Sequence, residues 1–340
     1  MDGRPKREIT YEISYPSEPV LAEASCWCTS SIFHRSSTSS SHAAVLERLY
    51  VEFQKPHIVE VNRGDLGEII GSSLLGYTMD FIRMRTLTYE SYCSGASSSL
   101  GNTFSSDVSL ATFLESLYPK VFETGPAQIF RSEIEVFFVN FTHFIKIPTR
   151  ADETFCQLAI ERHAGIMTRN LCPSIDLFVS AFKLKPVGSA TDNEEKGSQA
   201  PTKRELLHVR VSVKNYNADI NGKARGFMDS IRPSYTEPLT SDPPTHAISL
   251  LINVGSGDMD TIVQFQSQIQ TRSSSGSQGV KHLQMALPLK NMECFHVIPS
   301  QVRDYFLKIA QCRPKVLSQP TMKYGYQVSK SLGLVDELVA

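Results

Sequence analysis

Residues 206–216 put charge on one side of a strand whose other side is valine. Val209, Val211 and Val213 alternate with Arg210, Ser212 and Lys214, the period of two expected where the two faces of a strand meet different surroundings. Lys214 therefore points the same way as Ser212. Two readings follow. One is an ordinary amphipathic strand with a solvated face, the usual place for lysine and arginine. The other is a strand end that opens onto a polar site, with Asn215 just beyond it.

The rest of the chain must supply whatever that polar face meets. Its 340 residues can bury a substantial core in one or two domains. With 41% hydrophobic and 20% charged residues it reads as a soluble globular protein. The 34 basic residues are balanced by 35 acidic ones, so any nucleic-acid contact must come from a local patch rather than from the field of the whole molecule. Seven scattered cysteines point to reduced thiols and an intracellular, nuclear or cytoplasmic protein. Cys26-Trp27-Cys28 lacks the second pair that a zinc site needs. No apolar run is long enough to span a membrane, and Met1 to Glu8 leads into no signal core, so no membrane partner is expected.

Residues 1–42 are rich in serine and proline and read as a flexible arm. Residues 43–130 read as a helical segment: Val45, Leu46, Leu49 and Phe53 share one helical face, and a second helix over 65–85 buries Ile69, Ile70, Leu74, Leu75 and Met79. Glu68 lies in the first turn of that second helix, beside the small Gly71 and Ser72, where another element can approach its carboxylate. The helix dipole alone also favours an acid there. A serine-rich loop over 94–106 precedes a short helix from Asp107 that ends at Pro119.

Residues 131–255 read as the β-rich core. Residues 132–147 form one long strand or two short ones, followed by a helix up to about Thr168. The apolar strand 173–182 then carries Asp176, costly unless paired, hydrogen-bonded or bound to a cation. Residues 186–204 are a loop, 217–244 are polar and proline-bearing, and 246–254 form another buried strand. In the remaining extension, 256–340, residues 273–279 read as a flexible loop and 300–312 as a helix capped by Ser300.

Helix-Glu, strand-Asp and strand-x-x-Lys in this order resemble the PD-(D/E)xK, restriction-endonuclease-like nucleases. Arg63-Gly64-Asp65-Leu66-Gly67-Glu68, Phe138-Val139-Asn140-Phe141-Thr142-His143-Phe144, Ile175-Asp176-Leu177 and Val211-Ser212-Val213-Lys214-Asn215 look, more narrowly, like proteins of mushroom-forming fungi related to the nuclease modules of transposons and Crinkler-type effectors. The likeness covers about residues 60–255. It implies an α+β fold with an αβββαβ core, a central mixed sheet flanked by helices, and a Mg²⁺- or Mn²⁺-dependent DNA phosphodiesterase. In it Glu68 and Asp176 would be the metal ligands and Lys214 the catalytic lysine.

Such chemistry needs oxygen ligands for the cation and a positive group near the phosphate. Where the third motif usually has an acid or glutamine, this chain has Ser212, which removes a ligand; Asp219 or Glu205 are the acids near enough in sequence to replace it. The chain is therefore expected to be a nuclease or its degenerate descendant, or a catalytically inactive nucleic-acid-binding or protein-interaction module on the same fold. A purely structural protein is a third reading. Lys183, Lys185, Lys203, Arg204, Arg210 and Asn215 are the candidates for contacting DNA, or else a solvated basic face. No Gly-x-x-x-x-Gly-Lys-Ser/Thr occurs, so no ATP site is expected.

Overall fold

A computed structural model describes residues 40–54, 63–94, 107–147, 153–168, 175–183, 205–231, 245–273 and 276–312. The fold is α+β, a nine-stranded mixed sheet flanked by helices. Two helices open it, α1 (Ser40–Gln54) and α2 (Arg63–Ser94). Strand β1 (Val108–Ser109), α3 (Leu110–Leu117), a 3-10 turn (Pro119–Phe122) and α4 (Gly125–Ile134) follow. Then come β2 (Phe137–Val139), β3 (His143–Lys146), α5 (Glu153–Glu161), β4 (Ala164–Met167), β5 (Leu177–Lys183) and β6 (Leu206–Lys214). The chain continues through α6 (Asn221–Ser230), β7 (His246–Asn253), β8 (Ile262–Ser273), β9 (Gly276–Pro288) and α7 (Ser300–Gln311).

The strand order is β1-β2-β5-β6-β7-β9-β8. The outer edge of β5 is shared: its last residues pair with β2, its first with β4, which in turn carries β3 in parallel. Strands β4, β5 and β6 form an antiparallel meander, and the crossover helix α6 returns the chain so that β7 pairs with β6 in parallel. Strands β3, β4, β6, β7 and β9 consequently run the same way, and their carboxyl ends gather along one edge of the sheet. The start of β5 lies at that edge too.

Several local readings need correction. The residues at 131–134 finish α4 rather than begin a strand, and two short strands follow. The helix expected to reach Thr168 stops at Glu161: His163 turns into the left-handed region at φ 50, and Ala164 to Met167 become β4. A strand fits there because Gly165 lies beneath the Phe144 ring, where a Cβ would come within 2.4 Å of the ring. The polar stretch after Tyr216 contains α6. The supposed loop 273–279 belongs to the β8–β9 hairpin, with Ser273 opposite Gly276. Pro299, not Ser300, is the residue before α7, and Ser109 rather than Asp107 caps α3 by accepting from the Thr112 N–H at 3.1 Å. Of the arm read over 1–42 and the loop read over 94–106, residues 1–39 and 95–106 lie outside the described residues, whereas 40–42 open α1 and Ser94 ends α2.

Strand β6 is buried on both sides along most of its length. Val209, Val211 and Val213 join the larger apolar cluster with α2, α3 and α7, while the opposite face of the sheet is packed by α5 and α6. Contact with α2 depends on glycine. A Cβ on Gly71 would lie 2.5 Å from Val213 Cγ2, and one on Gly67 3.7 Å from Val213 Cγ1. The helix can thus settle directly on the end of β6, which brings Glu68 to the carboxyl edge of the sheet. Beyond it, Arg83 is buried and donates to Asn140 Oδ1 at 2.6 Å and to the Phe141 carbonyl at 3.2 Å, tying the helix to the segment between β2 and β3.

Gly71→Ala should therefore cost about 1–3 kcal/mol through overpacking. In urea unfolding the double variant Gly71→Ala/Val213→Ala should be more stable than the sum of the two single losses, since each substitution supplies the space the other needs.

Candidate functional site

At the carboxyl edge of the sheet, Asp176 sits one residue before β5 and opposite Ser212 of β6. Its own N–H donates to the Val211 carbonyl at 2.8 Å, and its carbonyl accepts from the Thr168 N–H at 2.9 Å, so its backbone is held from both neighbouring strands. The side chain is held more tightly. A single oxygen, Oδ2, accepts from the Val213 N–H at 2.6 Å and from the Ser212 hydroxyl at 3.3 Å, and lies 3.6 Å from Lys214 Nζ. The aspartate expected inside a strand is thus satisfied by two hydrogen bonds and an ion pair, the condition under which a largely buried carboxylate is tolerated. Ser212 is fully buried.

Glu68 meets a different cation. Its Oε2 accepts from Lys146 Nζ at 3.4 Å, with the Glu68 side chain 11% exposed and Lys146 half in solvent. Lys146 ends β3 as Lys214 ends β6, and sequence reasoning missed it. The signal was present in Lys146 itself, a charge between Ile145 and Ile147 just before Pro148. The two carboxylate–lysine pairs flank the sheet from its two faces. Glu68 comes from α2, which covers the valine face of β6, whereas Asp176 and Lys214 share the face of Ser212, and Lys214 Nζ lies 5.6 Å from the centre of the Phe227 ring of α6.

This donor set does not fit the metal centre implied by the resemblance. Each carboxylate already has an ammonium partner, the two approach from different faces, and Ser212 turns its hydroxyl proton into Asp176 instead of offering an oxygen to a cation. Among the described residues no group of three His, Cys, Asp or Glu side chains could hold a metal ion. Neither replacement acid is in place. Glu205 lies at the other end of β6, and Asp219 accepts from the Asn221 N–H at 2.8 Å in the turn before α6.

The suggested DNA contacts are dispersed as well. Lys183 ends β5 about 23 Å from Asp176 at ~3.3 Å per residue, where it pairs with Glu205 at 3.2 Å. Arg210 is buried at 5% exposure rather than presented on a basic surface. Asn215 donates to the Ala310 carbonyl at the end of α7 at 3.0 Å. Lys185, Lys203 and Arg204 lie outside the described residues. Lys214 is therefore the sequence-proposed cation that the fold brings to the carboxyl edge with some solvent access, its side chain 19% exposed.

Next along α2 from Glu68, a cleft of about 380 Å³ is lined by Ser72, Tyr77, Asp80, His143, Phe144 and Phe306, among others. Burial and the neighbouring Asp80 charge push the Tyr77 phenol up to about 12, so it remains a hydrogen-bond donor at any physiological pH. On the opposite face His208, buried, shares a 3.1 Å hydrogen bond with Ser180 Oγ. Burial, with help from the Arg210 charge, pushes His208 down to about 3.

No family model, curated protein or solved structure matches the chain. No helix among the described residues is long and apolar enough to cross a membrane.

The depressed His208 has a measurable consequence. An unfolded histidine binds its proton near pH 6.5 and folded His208 does so only near 3, so its contribution is complete above about pH 6.5 and declines as the pH falls toward 3. Urea unfolding should report about 2 kcal/mol less stability at pH 5 than at pH 8 from this residue. The pH 5 to pH 8 difference should shrink by that amount in His208→Gln.

Proposed function

We propose that the chain is a degenerate PD-(D/E)xK nuclease, with a restriction-endonuclease-like core from α2 to β7, that has lost metal-dependent hydrolysis and persists as a DNA-binding module. The topology supports the fold: α2, then the antiparallel meander β4-β5-β6, then α6 and a parallel β7, is the order αβββαβ. The motif residues support the ancestry, because Asp176 and Lys214 stand 3.6 Å apart across neighbouring strand ends. The loss of hydrolysis is carried by one observation: Ser212, in the position of the usual acid or glutamine, is fully buried and gives its hydroxyl hydrogen bond to Asp176 Oδ2, so the third motif supplies no carboxylate.

In this reading Lys214 is retained for binding. It offers positive charge to a phosphate at the edge of the sheet, held in direction by Asp176 and by the face of Phe227. It no longer orients water on a cation. A phosphate contact of this kind is independent of sequence and weakens as salt rises.

The direct test is plasmid DNA incubated with Mg²⁺ or Mn²⁺. The native protein should leave it uncut. Ser212→Glu should restore the missing carboxylate beside Asp176, a like-charge pair that destabilises the protein unless a divalent cation intervenes. That variant should melt lower than the native protein and recover on addition of Mg²⁺, while the native melting temperature stays put. Cleavage by the native protein that disappears in Lys214→Ala would establish the active nuclease and overturn the degenerate reading.

A further inference from the structure

Beside Lys214 the chain builds an aromatic surface that neither the packing of the core nor the nuclease motifs require. Tyr216, two residues beyond Lys214, remains 39% exposed, and its ring lies nearly parallel to that of Phe227, centroids 5.8 Å apart at 20°. Phe227 reaches back toward the smaller apolar cluster, so its place is explained by packing. The exposure of Tyr216 is not.

The backbone beneath Tyr216 is fixed from both sides. Its N–H donates to Asn253 Oδ1 at 3.4 Å, and its carbonyl accepts from the Gly257 N–H at 2.9 Å. Gly255 passes so close that a Cβ there would lie 2.1 Å from the Tyr216 carbonyl oxygen. The ring is thus carried on a rigid junction of the loops after β6 and β7. Lys214 Nζ touches the same Phe227 ring, at 5.6 Å from its centre, and Lys223 projects into solvent one helical turn before Phe227.

We propose that Tyr216, backed by Phe227, is a stacking platform for an unpaired nucleobase, with Lys214 and Lys223 meeting the adjoining phosphates, so that the occupant is single-stranded DNA. A duplex keeps its bases stacked on one another and offers no free face to an exposed ring; a single strand offers one at every nucleotide. A basic groove does not accompany the platform, since Asp176 partly offsets Lys214 and the whole chain carries a net charge of −1. Stacking must therefore supply much of the affinity. With two lysines on the backbone, log K should fall against log[salt] with a slope of only about −1.4.

The inference rests on the DNA-binding reading above, and the experiment separates the two. Fluorescence anisotropy is measured with the full chain against an oligothymidylate, an abasic oligomer of the same length and a duplex. The oligothymidylate should bind at least about tenfold more tightly than the abasic strand or the duplex. Tyr216→Ala should lose about tenfold for the oligothymidylate alone, while Tyr216→Phe keeps the affinity. Equal binding of the abasic strand and the oligothymidylate by the native protein, or binding unchanged in Tyr216→Ala, would overturn the platform and leave backbone binding standing. Absence of binding to all three would overturn both. The comparison of abasic and normal strands uses the native protein, so it decides the matter even if Tyr216→Ala is unstable.

Discussion

The bond from the Val213 N–H to Asp176 Oδ2, 2.6 Å long, holds together the edge on which every functional reading of this chain depends. It closes the junction between the start of β5 and the end of β6, beyond the last ladder pair of the two strands. The same oxygen collects Ser212 and Lys214. A carboxylate with this many donors on one oxygen is fixed in orientation. It can direct the lysine beside it.

The position of β6 explains why the edge is so constrained. Both of its faces are buried, so Ser212 and Arg210 have no route to water and must find partners within the protein. On the other face, Gly67 and Gly71 let α2 rest against Val213 and deliver Glu68 to the same edge, but on the other side of the sheet. Polar groups at the far edge have a different duty. Glu133 of α4 holds both His246 at the start of β7, at 3.0 Å, and Lys281 of β9, and its carboxyl is kept below the usual range chiefly by the Lys281 hydrogen bond. One edge is clamped by charge across strands and a helix; the other pairs a partly exposed Lys214 with Asp176 and leaves Tyr216 exposed.

Much of this was legible in the sequence where periodicity and side-chain size agreed. The alternation from Val209 to Lys214 specified a strand, the apolar spacing in α2 specified a helix, and Asp176 stood out as an acid that needed a partner. What the pattern left open was the surroundings of the second face of β6: an alternating strand resembles a solvated one unless the crossover helix is recognised, and α6 is too rich in polar residues and glycine to announce itself. Strand β4 was hidden for the opposite reason, because Ala164 and Gly165 carry too little side chain to mark a face, although Gly165 is required by the ring of Phe144. Lys183 and Arg210 read as parts of one basic face, yet antiparallel pairing sets Arg210 opposite Phe178, five residues along β5 from Lys183. Register, which sequence spacing does not encode, also decides that Ser212 faces Asp176.

The central claim is that Asp176 is committed to the protein's own donors and does not hold a divalent cation. Electron paramagnetic resonance of Mn²⁺ titrated into the native chain measures this directly, because a bound ion loses the sharp spectrum of the free one. The free-ion signal should rise in step with every addition, in the native chain and in Asp176→Asn alike. A stoichiometric loss of signal in the native chain that vanishes in Asp176→Asn would contradict the account and return the site to metal chemistry.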